Sequence, residues 1–114
     1  MEQGRSLADW KAQIERDVAD NRVFVYAKGE KGAAVCGFSR QVMLILDNVG
    51  VPYGVRNIFS DPNLRPALCA FTDWPTTPQV FIDGEFVGGC DILTELHKSG
   101  ELRRRLTGEP AKEG

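Results

Sequence analysis

Hydrophobic positions fall into two rhythms along the chain. Leu7, Trp10, Ile14 and Val18 recur near helical spacing behind a Ser6…Asp9 capping signal, so 6–19 reads as an amphipathic helix ended at Asp20–Asn21. Val23–Ala27 is an apolar and aromatic run without polar alternation, the pattern of a strand buried on both faces. Residues 28–35, with Gly29 and Gly32, read as a loop. From Ser39, the residues Val42, Ile45 and Val49 fall on one helical stripe that stops at Gly50. Val51–Phe59 suggests a second strand, interrupted by Pro52 and Gly54. Asp61-Pro62 opens another helix in the favoured order of cap then proline, and Pro66 moves its regular part toward residue 65. Gln79–Ile82 and Glu85–Val87 flank Asp83-Gly84, a two-residue hairpin signal. After Gly88-Gly89, Asp91 begins a last helix carrying Ile92, Leu93, Leu96, Leu102 and Leu106.

The order is α-β-α-β-α-β-β-α. A helix between two early strands favours a parallel pair, and the late hairpin must be antiparallel. The expected fold is therefore α/β, a mixed four-stranded sheet flanked by helices in the thioredoxin-like arrangement. One domain is expected over 1–114, with a core over 6–106 and a polar, frayed tail over 107–114.

Composition narrows the classes. The chain has 14 basic and 16 acidic side chains for a net charge of −2, so nothing in it is a nucleic-acid or anionic-membrane footprint. The longest aliphatic or sulfur run, Val42–Leu46, is far short of the roughly 20 residues of a membrane helix. Cys36, Cys69 and Cys90 are odd in number and widely spaced, which is no secreted disulfide framework and fits a reducing intracellular compartment. Mitochondrial matrix, plastid and bacterial cytosol fit equally.

Cys36 carries the candidate chemistry. It stands where a glycine-containing loop meets a helix, and there free N–H groups and the helix dipole stabilise a thiolate, which is both nucleophile and metal ligand. Gly37 permits close approach of a ligand, and Ser39 can help cap the helix. Alone, Cys36 reads equally as a core cysteine.

Its neighbours decide between the two readings. Cys36-Gly37-Phe38-Ser39 matches the CGFS signature of the monothiol glutaredoxins, Trp74–Gln79 resembles their WPTxPQ, and Gly88-Gly89-Cys90-Asp91 matches their GGCD. Lys28-Gly29 stands where that family has Lys-Gly, eight residues before the cysteine, and the resemblance runs from about Val23 to Leu106. Three departures stand out: Glu30–Val35 lacks the family's prolines and should be more flexible, Thr77 replaces a bulkier apolar residue, and Cys69 replaces a basic one.

The resemblance implies a role for each motif residue. Pro78 would be a cis proline, with the Thr77 backbone pairing with extended glutathione. Cys90 and Asp91 would receive the γ-glutamyl end, and Lys28 and Arg65 the glycine carboxylate. Without the motifs, Lys28 and Arg65 are solvated charges, Asp91 is an N-cap, Trp74 is packing, Cys90 is structural and Cys69 is buried. His97 has no assigned role.

A dithiol oxidoreductase needs a resolving cysteine three residues after the first, and Ser39 holds that place. A [2Fe–2S] cluster commonly takes four thiolates, and two copies of Cys36 with two glutathione thiolates supply four. The resemblance implies a cluster carrier that is a homodimer when loaded, with BolA-like proteins and apo iron–sulfur proteins as partners. A weak glutathione-dependent thiol–disulfide oxidoreductase and a metal-free interaction module are the rival readings.

Overall fold

The computed structural model describes residues 5–109. Helix α1 covers Leu7–Asp20, and the Ser6 hydroxyl accepts the Asp9 N–H at 3.0 Å, as the capping signal predicts. Strand β1, Val23–Ala27, is buried throughout, as its unbroken apolar run requires. Helix α2 covers Gly37–Val49, β4 covers Gly54–Asn57 and α3 covers Leu64–Thr72. Strands β5 (Gln79–Ile82) and β6 (Glu85–Gly88) form the late hairpin, and α4 (Cys90–Ser99) and α5 (Glu101–Thr107) close the described chain.

The sheet order is β4-β1-β5-β6, with β1 and β4 parallel and the other two pairs antiparallel. This is the expected mixed four-stranded sheet. Side chains alternate across β1 and divide the core in two. Val23, Val25 and Ala27 pack with Val42 and Leu46 of α2, Leu93 of α4 and Leu102 of α5 on one face. Phe24 and Tyr26 pack with Trp10 and Ile14 of α1 and Leu64 and Leu68 of α3 on the other.

The second face also encloses charge. Buried Asp17 accepts hydrogen bonds from Tyr26 Oη at 2.7 Å, from Arg56 Nε and Nη2 at 2.7 and 2.9 Å, and from Gln13 Nε2 at 2.8 Å. Burial alone would raise its pKa, but the Arg56, Tyr26 and Gln13 bonds outweigh that and hold the carboxyl below its ordinary value.

Several boundaries differ from the sequence expectation. Residues 28–35 contain a two-stranded hairpin, β2 (Gly29–Glu30) against β3 (Ala33–Ala34), turning at Lys31-Gly32. Lys31 Nζ donates to the Tyr53 carbonyl at 2.9 Å, and Asn57 Oδ1 accepts the Gly29 N–H at 3.2 Å, so distant residues fasten a segment that has no apolar pattern of its own. The strand expected over 51–59 shortens to β4, because Pro52 precedes it and Ile58–Ser60 winds into a 3₁₀ turn. At 61–63 the Asp61 carboxylate accepts the Asn63 N–H at 2.8 Å in a local turn. Helix α3 starts only at Leu64, and Pro66 falls in its first turn, where no N–H is needed.

The single last helix of the sequence reading is two. Gly100 adopts φ +83°, a left-handed geometry that stops α4, and α5 restarts immediately after it. Thr107 ends α5 instead of opening the tail, and the rest of the expected tail beyond Glu109 lies outside the described residues. Among the described residues no helix is long and apolar enough to cross a membrane.

Candidate functional site

Cys36 is the N-cap of α2, with extended backbone at φ −142° and ψ 153°. Its sulfur, not the Ser39 hydroxyl that the sequence suggested, caps the helix: Sγ accepts the Ser39 N–H at 3.4 Å. The Ser39 hydroxyl is fully buried and does different work. Its oxygen accepts the Lys28 N–H at 3.0 Å and lies 3.4 Å from Cys36 Sγ. One of its two lone pairs accepts from Lys28, and its proton can be donated to an ionised sulfur.

Burial of the thiol opposes ionisation. Hydrogen bonds from the Ser39 hydroxyl and from the Ser39 and Phe38 N–H groups, with the Lys28 charge, outweigh it and hold the Cys36 pKa below the ordinary thiol value. Cys36 is thus a partly exposed thiol that its neighbours make easier to ionise, and the core-cysteine reading does not describe it. Ser39→Ala is expected to raise that pKa, since it removes one donor to the thiolate and leaves only the two N–H groups and Lys28 to oppose burial. The iodoacetamide alkylation rate of Cys36, followed against pH, should show a midpoint shifted upward and slower reaction at neutral pH. An unmoved midpoint would remove the hydroxyl from the causes of the shift.

Beside Cys36 lies an open groove of about 460 Å³. Lys28, Arg65, Thr77, Cys90 and Asp91, all five residues proposed from sequence for ligand binding, line it together. They arrive from different elements: Lys28 follows β1, Arg65 lies on the first turn of α3, Thr77 precedes β5, and Cys90 and Asp91 open α4. Cys36 itself is not in the lining, but its neighbour Phe38 is. The Thr77–Pro78 peptide bond is cis.

The groove's charge is mixed. Lys28 and Asp91 form no ion pair among the described residues, and Arg65 is likewise without one. Arg65 Nη2 donates to the Pro75 carbonyl at 3.0 Å. Gly89, not Asp91, is the N-cap of α4, and no side chain caps that helix, so its first N–H groups face the groove end without a side-chain acceptor. Gly88 and Gly89 are needed for this close passage. A Cβ on Gly88 would stand 2.8 Å from the Ile92 side chain, and one on Gly89 would stand 3.1 Å from the Pro78 carbonyl oxygen.

Some of the wall was not legible in advance. Trp74, assigned to packing, does tilt against Phe86 with ring centroids 5.9 Å apart, but it also lines the groove and is 41% exposed. Phe38 and Ile92, apolar residues in the first turns of α2 and α4, are 65% and 43% exposed on the groove rim. Their helical periodicity matched the core stripes, and only their place at the helix ends puts them beyond the sheet. Cys69, expected to be buried, is partly exposed on α3 and does not line the groove, and Cys90 Sγ lies 3.9 Å from Thr94 Oγ1. His97 is outside the groove.

The glutaredoxin family model matches residues 23–87. The chain is 48% identical over 95 residues to a probable monothiol glutaredoxin 2 of Rickettsia felis, covering 83% of this chain and 91% of that protein. It is 46% identical over 93 residues to the mitochondrial monothiol glutaredoxin-S15 of Arabidopsis thaliana, covering 82% of this chain and 55% of that longer protein. Among solved structures, reduced apo GrxS14 from poplar superposes with a TM-score of 0.79 at 39% identity, covering 91% of this chain and 96% of that one. A buckwheat glutaredoxin–glutathione complex superposes with a TM-score of 0.78 at 28% identity, covering 90% and 91%.

Proposed function

The chain belongs to the monothiol glutaredoxin family, and on that premise we propose that it binds glutathione in the groove beside Cys36 and carries a [2Fe–2S] cluster for delivery to apo iron–sulfur proteins. The observation that carries this reading is the convergence of Lys28, Arg65, Thr77, Cys90 and Asp91 on one groove next to a thiol whose pKa is lowered.

Glutathione has two carboxylates, one ammonium and one thiol, and the donor set fits that inventory. Lys28 and Arg65 are two cations for the glycine carboxylate, and Asp91 is one anion for the ammonium. The uncapped N-terminus of α4 suits the γ-glutamyl carboxylate. The Thr77 backbone offers main-chain pairing to an extended peptide. Bound there, glutathione supplies a second thiol per chain.

That second thiol matters for the ligand count. Among the described residues no three His, Cys, Asp or Glu side chains gather where they could hold a metal ion. Two copies of Cys36 and two of glutathione would supply four thiolates. The exposed rim residues Phe38 and Ile92 give the second copy a small apolar contact, and the shared cargo supplies most of the association. An open coordination, half of it from an exchangeable tripeptide, suits a protein that gives the cluster away. Three free cysteines suit a reducing compartment.

The lowered thiol pKa also suits a glutathione-dependent thiol–disulfide oxidoreductase, the second reading. Ser39 cannot resolve a mixed disulfide, so reduction of protein disulfides should be much slower than for a dithiol glutaredoxin in the same coupled assay. Comparable turnover would put the oxidoreductase reading first.

A further inference from the structure

Gln79 belongs to none of the roles above, yet it is fully buried at the start of β5, directly behind the groove wall. Its Nε2 donates to the Trp74 carbonyl at 3.2 Å and to the Thr76 carbonyl at 3.0 Å. The intervening Pro75 carbonyl is held from the outside by Arg65 Nη2 at 3.0 Å. Three successive carbonyls are therefore fixed by two side chains, in a segment where Pro75 and Pro78 have no N–H to offer a neighbour.

We propose that Gln79 is a positioning residue for ligand binding, holding the Trp74–Thr76 wall so that Thr77 and Arg65 meet glutathione in register. The amide acts from outside the groove. Gln79 is not among its lining residues, whereas Trp74, Thr76, Thr77 and Pro78 are. Gln79 Oε1 is buried without a hydrogen-bond partner, so the side chain has been placed for its two donors at the expense of its acceptor. A residue kept only to fill β5 would be apolar, as Val80, Phe81 and Ile82 are. The arrangement also ties Arg65 to the wall. One guanidinium nitrogen is engaged by Pro75, and the remaining donors are presented from a fixed base. If the wall relaxes, the backbone that pairs with the peptide and the cation that holds its carboxylate move together.

This inference rests on the glutathione reading, and two variants separate the two. Gln79→Met keeps the length and removes the donors and the orphaned oxygen. Gln79→Glu keeps the shape but replaces the donors with a second carboxyl oxygen and can place a charge there. In the ligand-free protein, the carbonyl carbon-13 resonances of Trp74 and Thr76 should move upfield in both variants as their hydrogen bonds are lost. The glutathione Kd, measured by calorimetry, should rise about tenfold or more in both. The pH midpoint of Cys36 alkylation should stay where it is, because Ser39, Phe38 and Lys28 set it from other segments. An unchanged Kd in Gln79→Met overturns the proposal, and so does a Kd that rises only in Gln79→Glu, which would reflect a buried charge. A weakened Kd accompanied by a moved alkylation midpoint also overturns it, since the damage would then be general. Should the unaltered protein bind no glutathione, the parent reading falls, and the carbon-13 shifts alone decide whether Gln79 holds the wall. If Gln79→Glu does not fold, the methionine variant decides by itself.

Discussion

Replacing Cys36 by serine is expected to abolish cluster assembly, and alkylation at that position, while leaving the fold intact. Cys36 is the cysteine at the α2 N-terminus, whereas Cys90, which lines the groove, opens α4 and Cys69 lies outside the groove. Serine is itself a favoured N-cap, and its hydroxyl can accept the Ser39 N–H that Cys36 Sγ now accepts at 3.4 Å. The melting temperature should therefore change little, by an amount matching less than about 1 kcal/mol. Anaerobic incubation with iron, sulfide and glutathione, read by visible absorption, should give colour with the unaltered chain and none with Cys36→Ser. A coloured [2Fe–2S] form in the variant would take Cys36 out of the ligand set.

The second large effect concerns the groove charges. Asp91→Ala removes the proposed partner of the glutathione ammonium, and Lys28→Ala removes one partner of its carboxylate. Losing a charge-assisted hydrogen bond costs about 1.5–3 kcal/mol, roughly one to two decades in glutathione affinity. The two variants should differ elsewhere. Lys28 contributes to the lowered Cys36 pKa, so Lys28→Ala should also raise the alkylation midpoint. Asp91 has no part in that shift, so Asp91→Ala should weaken glutathione and leave the midpoint alone. Because Asp91 is in the first turn of α4 without capping it, the melting temperature of the apo variant should fall only slightly. Unchanged glutathione affinity in both variants would move the ligand out of this groove.

The fold was legible wherever a local cause decides. The Val23–Ala27 run, the Ser6 cap and the Asp83-Gly84 hairpin each have a local physical cause, and the structure reproduces them. What was not legible depends on residues far apart in the chain. The hairpin over 28–35 is held by Tyr53 and Asn57, which no local pattern can announce. The break at Gly100 was masked by Leu102 and Leu106, which continue the apolar rhythm because both reach the same core as Leu93. In the site, the family resemblance implied all five groove residues: four lie in its motifs, and Arg65 lies outside them. The support behind them was hidden. Ser39 bridges Lys28 to the thiol and Gln79 pins the wall, and both act through buried hydrogen bonds whose partners only the fold brings near. The cue for Gln79 was a polar residue opening an otherwise apolar strand.

The central claim is that glutathione completes the coordination of a cluster shared by two chains. Its most direct test is the composition of the reconstituted species: iron, sulfide and glutathione counted per chain, with mass from light scattering, before and after exhaustive removal of free glutathione. The account predicts a dimer holding one [2Fe–2S] cluster and two glutathiones, which loses cluster and glutathione together and returns to monomer. A coloured dimer that survives with no glutathione bound and an unchanged cluster lifetime would contradict it, because protein side chains would then complete the coordination.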